Sequence, residues 1–176
     1  MCSNGQIWPF PDKLLAHNKQ GGFELRGGAL PLRLHHVTAV HNVGFGILLV
    51  GAHGTRIEAS SASWTLPMTL DGKPARGDGL GVFRSQDVEL LGSTFSYNHR
   101  AGASFWGCAD GRETSFSMTG SELDKNAFAL EFGALSACTA GISVTPSDAG
   151  DNVCDGGTCA AQLADGLAPS APPPAP

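Results

Sequence analysis

Aromatic residues are scarce in this chain, at 7% of 176 positions, and charged residues reach only 15%. Helix formers are nowhere gathered into amphipathic runs, which argues against a helical core. No apolar stretch is long enough to span a bilayer, the longest lying around Gly46–Gly51. A formal charge of −5 and the lack of any Lys/Arg-rich run argue against a nucleic-acid surface. No CxxC pair or Cys/His cluster has the usual zinc spacing. The opening MCSNGQIWPFPDK lacks a basic start followed by an apolar stretch, so the signal of an exported protein would lie outside this sequence.

What the chain does have is glycine, 24 residues of it, and a sentence said twice. DVELLGSTFSYN (Asp87–Asn98) lies 28 positions before SFSMTGSELDKN (Ser115–Asn126). In that alignment Val88 meets Phe116, Leu90 meets Met118, Gly92 meets Gly120, Ser93 meets Ser121, Phe95 meets Leu123 and Asn98 meets Asn126. Alternating apolar residues mark a strand with one buried face, Gly-Ser marks a bend, and Asn suits the next corner. Weaker copies lie upstream. Leu32, Leu34, Val37, Ala39 and Asn42 fit at an offset of 56, and Thr55, Ile57, Ala59, Ser60, Ala62 and Thr65 at an offset of 33. Repeats of this length without helical periodicity predict a solenoid.

A second strand type recurs in GFGILLVG, GLGVFRS, AGASFWG and AFALEFG. Alternation turns inward Ile47 and Leu49, Leu80 and Val82, Ala103 and Phe105, and Phe128 and Leu130. It leaves Val50, Phe83, Trp106 and Glu131 as an outward row. Residues 1–20 read as a lead-in with a helical turn at Asp12–His17, residues 21–145 as the solenoid, and 146–166 as an acidic Cys/Gly-rich segment. Residues 167–176, LAPSAPPPAP at the end, read as an extended or disordered tail. Thr65–Asp78, rich in Pro and Gly, reads as an insertion at a corner, and such loops often carry function. Neither terminus reads as a strong cap, so the chain is also compatible with a piece of a longer β-helix.

Five cysteines are spread along the chain. Cys154 and Cys159 bracket a short loop that a disulfide can close, and Cys108 and Cys138 lie about one coil apart; Cys2 is left over. This usage favours an oxidising compartment, extracellular or cell-surface.

The frame GxGφxφxxSxxVxφxxSxφxxN, clearest in Asp78–Asn98, resembles the right-handed parallel β-helix repeat of the pectate-lyase-like superfamily. The likeness covers about Gly21–Thr145 and implies a single-stranded right-handed parallel β-helix of about five turns, all-β. It implies function only loosely, because that scaffold carries lyases, hydrolases, epimerases, esterases, adhesins and non-catalytic proteins. In such a coil Leu34, Ile57, Leu90 and Met118 share an inward column. Asn98 and Asn126 form a ladder, a structural role rather than a catalytic one.

Enzymes of the superfamily commonly lay substrate along an outward strand face. There Phe83 and Trp106 are candidate sugar-stacking residues, with Arg76 as a further substrate contact; the competing reading has both rings covered by the 65–78 loop or by a partner. Arg76, Asp78, His99, Arg100, Asp124 and Lys125 align at the corner entering these strands. A lyase acting on acidic glycans needs a cation for the uronate and a base for the C5 proton, roles open to Arg100, Lys125, His99 or Asp78. The competing reading is a solvated row of turn charges. GAHGTRIE (Gly51–Glu58) resembles two polygalacturonase elements, but that family's Asn-Thr-Asp and paired-Asp motifs are absent, and His53 reads as a loop residue. His35 and His36, adjacent on a strand, are expected on opposite faces. No cofactor is expected; calcium is the alternative, offered oxygens by Asp148, Asp151, Asn152 and Asp155. The leading functional expectation is a secreted or surface binding module for carbohydrate, without catalysis. Its alternatives are a polysaccharide lyase or related sugar-active enzyme, and a structural piece of an adhesin-like β-helix.

Overall fold

A computed structural model describes residues 9–10, 13–19, 21–28, 31–70, 73–107, 113–133, 144–148 and 150–159. Cys2, Cys108, Cys138 and the 167–176 tail lie outside the described residues.

The chain is a parallel β-helix. One face is a six-stranded sheet, ordered Pro9–Phe10, Arg33–His35, Arg56–Glu58, Val88–Leu91, Thr114–Thr119, Val144–Asp148. A second, five-stranded sheet stacks Phe23–Gly28, Phe45–Ala52, Asp78–Phe83, Ala101–Trp106 and Phe128–Gly133. The third face is built from shorter pieces: Lys13–Ala16, Val37–Val40 and Ser61–Ser63, then a bridge at Thr94, then Glu122–Leu123 and Val153–Cys154. Within these faces every coil-to-coil pairing is parallel. From the first to the last strand of the five-stranded sheet the chain winds four times.

The expected columns form. Leu34 pairs with Ile57, Ile57 with Leu90, and Leu90 with Met118, and all four are fully buried. Burying each such side chain contributes about 1.5–3 kcal/mol. Inside the later coils Phe105, Phe116 and Phe132 stack on one another.

The corners are held by side chains that replace missing ladder partners. Asn98 Oδ1 accepts from Thr65 N at 3.1 Å while its Nδ2 donates to Ala62 O. One coil on, Asn126 accepts from Asn98 N at 2.8 Å and donates to Phe95 O; two coils before Asn98, Asn42 does the same for Asn18 and Leu15 O. At the preceding corner Ser60, Ser93, Ser121 and Asn152 form a second file, each accepting from the backbone N–H one coil earlier.

Several expectations need correction. Lys13–Ala16 is a strand paired with Val37–Val40, not a helical turn, so coil pairing begins before Gly21. Pairing with a neighbouring coil outweighs local propensity. At the other end the strand runs on through Pro146 to Asp148, and Val153–Cys154 still pairs in parallel with Glu122–Leu123. In AFALEFG the register slips by two: Leu130 lies on Ala103 and Phe132 on Phe105, while Phe128 is exposed. Glu131 therefore pairs with Ser104, and the outward row ends Phe83, Trp106, Gly133. His35 and His36 do not diverge. His36 takes a left-handed φ of 53° at a corner, which turns its ring to 3.8 Å from that of His35, centroid to centroid.

The Cys154–Cys159 disulfide closes a small antiparallel hairpin whose sulfurs lie in the core. Reducing it is expected to lower stability by about 2 kcal/mol, from the closure entropy of so short a ring. Thermal unfolding with and without dithiothreitol reads this; an unchanged melting temperature would mean that core contacts alone hold the hairpin.

Candidate binding groove

The Thr65–Asp78 insertion is not a loose loop. Met68–Leu70 and Lys73–Arg76 form an antiparallel hairpin. The hairpin lies over the outer face of the five-stranded sheet, where the Met68 side chain meets Gly44 and Arg76 meets two rings. Phe45 swings its ring across Gly81, where any Cβ would come within 2.4 Å of it. Phe45 meets Phe83 edge-on at 5.8 Å, and Phe83 stacks on Trp106 at 6.3 Å. The Trp106 indole in turn lies over Gly133, where a Cβ would sit 2.1 Å from it. Phe83 and Trp106 are thus not an open platform: Trp106 is 0% exposed and Phe83 8%. An outward parity on a strand says nothing of what a later segment lays over it.

Beside this aromatic layer a groove of about 360 Å³ remains between sheet and hairpin. Leu48, Val50, Phe45, Phe83 and Met68 give it an apolar lining; Arg26, Arg76, Arg84 and Glu24 supply its charges. Arg26 is paired with Glu24. The Arg76 guanidinium lies 5.0 Å from the Phe45 ring centre and 5.5 Å from that of Phe83. Burial there pulls its pKa below the ordinary arginine value, with Asp78 acting the other way. Among the described residues Arg76 forms no ion pair, and its cation is held against ring faces at the edge of the groove.

The corner candidates divide into two places. Asp78 is fully buried. It accepts from Arg100 Nε at 2.8 Å and Nη2 at 2.5 Å, from Ala101 N at 3.2 Å and from Ser104 Oγ at 2.9 Å. Arg100 also binds Glu131 on the next coil. Burial lowers the affinity of Arg100 for its proton, but the two carboxylates outweigh that and hold its pKa above the ordinary value. Burial likewise holds Glu131 above the usual carboxylate range, against the pull of Arg100. This is a closed network clamping three coils. His99 lies beside Arg100 but is exposed.

Lys125 belongs to the other place, an exposed column of side chains at one corner. His17, His41, Trp64, Tyr97 and Lys125 all have left-handed φ between 53° and 59°. His17 stacks on His41 at 5.1 Å, His41 on Trp64 at 6.2 Å and Trp64 on Tyr97 at 4.8 Å. Lys125 Nζ lies over the Tyr97 ring and hydrogen-bonds its hydroxyl at 2.7 Å. That hydrogen bond, chiefly, raises the Lys125 pKa. The proposed calcium oxygens include Asn152, whose amide is already used by Ser121 N and Met118 O. Among the described residues no group of three His, Cys, Asp or Glu is placed to hold a metal, and no helix is long and apolar enough to cross a membrane.

Sequence reasoning found Arg76 and Phe83 but missed Arg26, Arg84, Phe45 and Met68, whose convergence depends on where the hairpin lands. It also missed the exposed column, for which a signal existed. Each member stands one residue before a ladder position: His17-Asn18, His41-Asn42, Trp64-Thr65, Tyr97-Asn98, Lys125-Asn126. Comparison of the chain with protein-family models, with curated proteins and with solved structures found no match.

Proposed function

We propose that this chain is a secreted or surface β-helix that binds carbohydrate without transforming it, and that the groove under the hairpin takes an acidic sugar. The observation that carries this is Arg76, a cation lodged against two rings and, among the described residues, in no ion pair. An apolar lining with a cation at its edge suits a sugar ring bearing a carboxylate or sulfate. The disulfide and the coil pattern support an oxidising compartment and a place within the pectate-lyase-like superfamily.

The lyase alternative has less to draw on. Asp78 is buried and saturated by four donors, and Arg100 is committed to two carboxylates. Neither is free to take a C5 proton or neutralise a uronate.

Calorimetric titration with short oligogalacturonates, and with neutral oligosaccharides of equal length, tests the proposal. Arg76→Ala is expected to weaken acidic-sugar binding about 10- to 100-fold, the loss typical of one charge-assisted hydrogen bond at roughly 1.5–3 kcal/mol. Binding untouched by Arg76→Ala would remove the groove. Accumulation of unsaturated product during incubation would remove the non-catalytic reading.

A further inference from the structure

The exposed corner column is costly to build. A left-handed backbone costs an ordinary residue about 1–2 kcal/mol, and glycine avoids the penalty. At the corner between the six-stranded sheet and the third face, the chain uses glycine in later coils: Gly92, Gly120 and Gly150 have positive φ there. At the column it places two histidines, a tryptophan, a tyrosine and a lysine instead. Trp64 stays 51% exposed and Tyr97 41%, with Leu66 beside them also exposed.

The geometry decides what such a column can hold. Planes of successive rings differ by only 7°, 25° and 9° from His17 to Tyr97, so ring faces are covered by one another and edges look outward. Sugar rings stack on faces, and the faces between successive members are taken. Ring edges carry the positive end of the aromatic quadrupole. Imidazole and indole N–H groups and the Lys125 ammonium add donors of the same sign. None of the five column residues is acidic, although Asp124 and Glu122 act on Lys125 from nearby. The column rises one residue per coil, about 4.8 Å each, along some 19 Å of the solenoid axis.

Two of its members lie a few residues along the chain from the groove's lining. His41 leads into the strand that carries Phe45, Leu48 and Val50, and Trp64 leads through Leu66 to Met68 of the hairpin.

We propose that the column is a second subsite, a strip along which the continuation of a long acidic polysaccharide lies once one of its sugars occupies the groove. The polymer's carboxylates or sulfates meet ring edges and Lys125. This rests on the groove reading, yet it is separable from it by ligand length: a short oligosaccharide fills the groove alone, whereas a polymer reaches both.

The test compares a short oligogalacturonate with long polygalacturonate on the whole chain, by titration at two salt concentrations. Trp64→Ala/Tyr97→Ala and, separately, Lys125→Glu are the variants. Lys125 is exposed, so its variant guards against loss through misfolding. Both variants are expected to weaken polymer binding about tenfold and to leave short-oligomer affinity unchanged, and Lys125→Glu, which removes a cation, to flatten the salt dependence of polymer binding as well. Polymer affinity unchanged in both variants overturns the strip, as does an equal fall for both ligands. If Arg76→Ala changes neither affinity while the column variants still weaken the polymer, the groove reading fails and the strip stands. Sedimentation showing a dimer that Trp64→Ala/Tyr97→Ala converts to monomer assigns the column to a second copy of the chain and overturns the proposal.

Discussion

Arg100→Ala is expected to destabilise the protein by about 3–5 kcal/mol, because it strips the counter-ion from a carboxylate with no access to water. Asp78 keeps Ala101 N and Ser104 Oγ but loses two charged donors, and Glu131 loses its partner on the adjacent coil. The loss should depend on pH, and the direction follows from linkage. Glu131 already titrates above the usual carboxylate range because it is buried, with Asp78 pushing the same way and Arg100 opposing. Removing Arg100 lifts it further. A carboxyl with a higher pKa in the folded state makes the folded chain bind more protons than the unfolded one, so stability rises as pH falls. The variant should therefore recover part of its deficit as pH falls from neutral. A companion Asp78→Asn/Arg100→Met variant should lose less than Arg100→Ala alone. Urea unfolding at several pH values reads all of this; a single variant within about 1 kcal/mol of the parent at every pH would show the network to be solvated.

Asn98→Ala is expected to cost about 3 kcal/mol, unusually much for one short polar side chain. The amide is shared among three coils: it accepts from Thr65 N and donates both to Ala62 O and to Asn126 Oδ1. Its removal strands buried groups on both sides, at about 1–3 kcal/mol for each that finds no water. Asn98→Asp separates hydrogen bonding from shape, since a carboxylate accepts from Thr65 N yet faces the Ala62 carbonyl with no donor. It should be as damaging as alanine at neutral pH and milder in acid. A loss below about 1 kcal/mol for Asn98→Ala would mean that water takes over the corner.

The coil was legible because its cause is periodic. Leu90 above Met118 and Asn98 above Asn126 follow from one strand pattern written twice, and the structure pairs Leu90 with Met118 and hydrogen-bonds Asn98 to Asn126. The misreadings fall where the pattern meets a second influence. Phe128 passes the alternation test but stands at the entrance of its strand, so its parity does not bury it. Phe83 and Trp106 have the parity of surface residues and lose their exposure to rings and an arginine gathered from elsewhere in the chain. The groove was half legible: Arg76 and Phe83 stood out by type, whereas Arg26, on its strand, and Arg84, at the corner after Phe83, are ordinary until the hairpin closes the groove beside them. His36 shows the same limit at smaller scale, since one left-handed residue reverses what strict alternation predicts.

The hairpin is a guest in the coil that carries it. Ile47 to Leu80 spans 33 residues, against 23 from Leu80 to Ala103. On either side of the detour the rung is already closed, by Thr65 N on Asn98 Oδ1 and by Asp78 N on Gly44 O. The shape of the groove is thereby uncoupled from the winding. One wall of the groove can be lengthened, trimmed or exchanged for another sequence while the winding beneath keeps its pitch, so one coil can carry grooves of quite different shape.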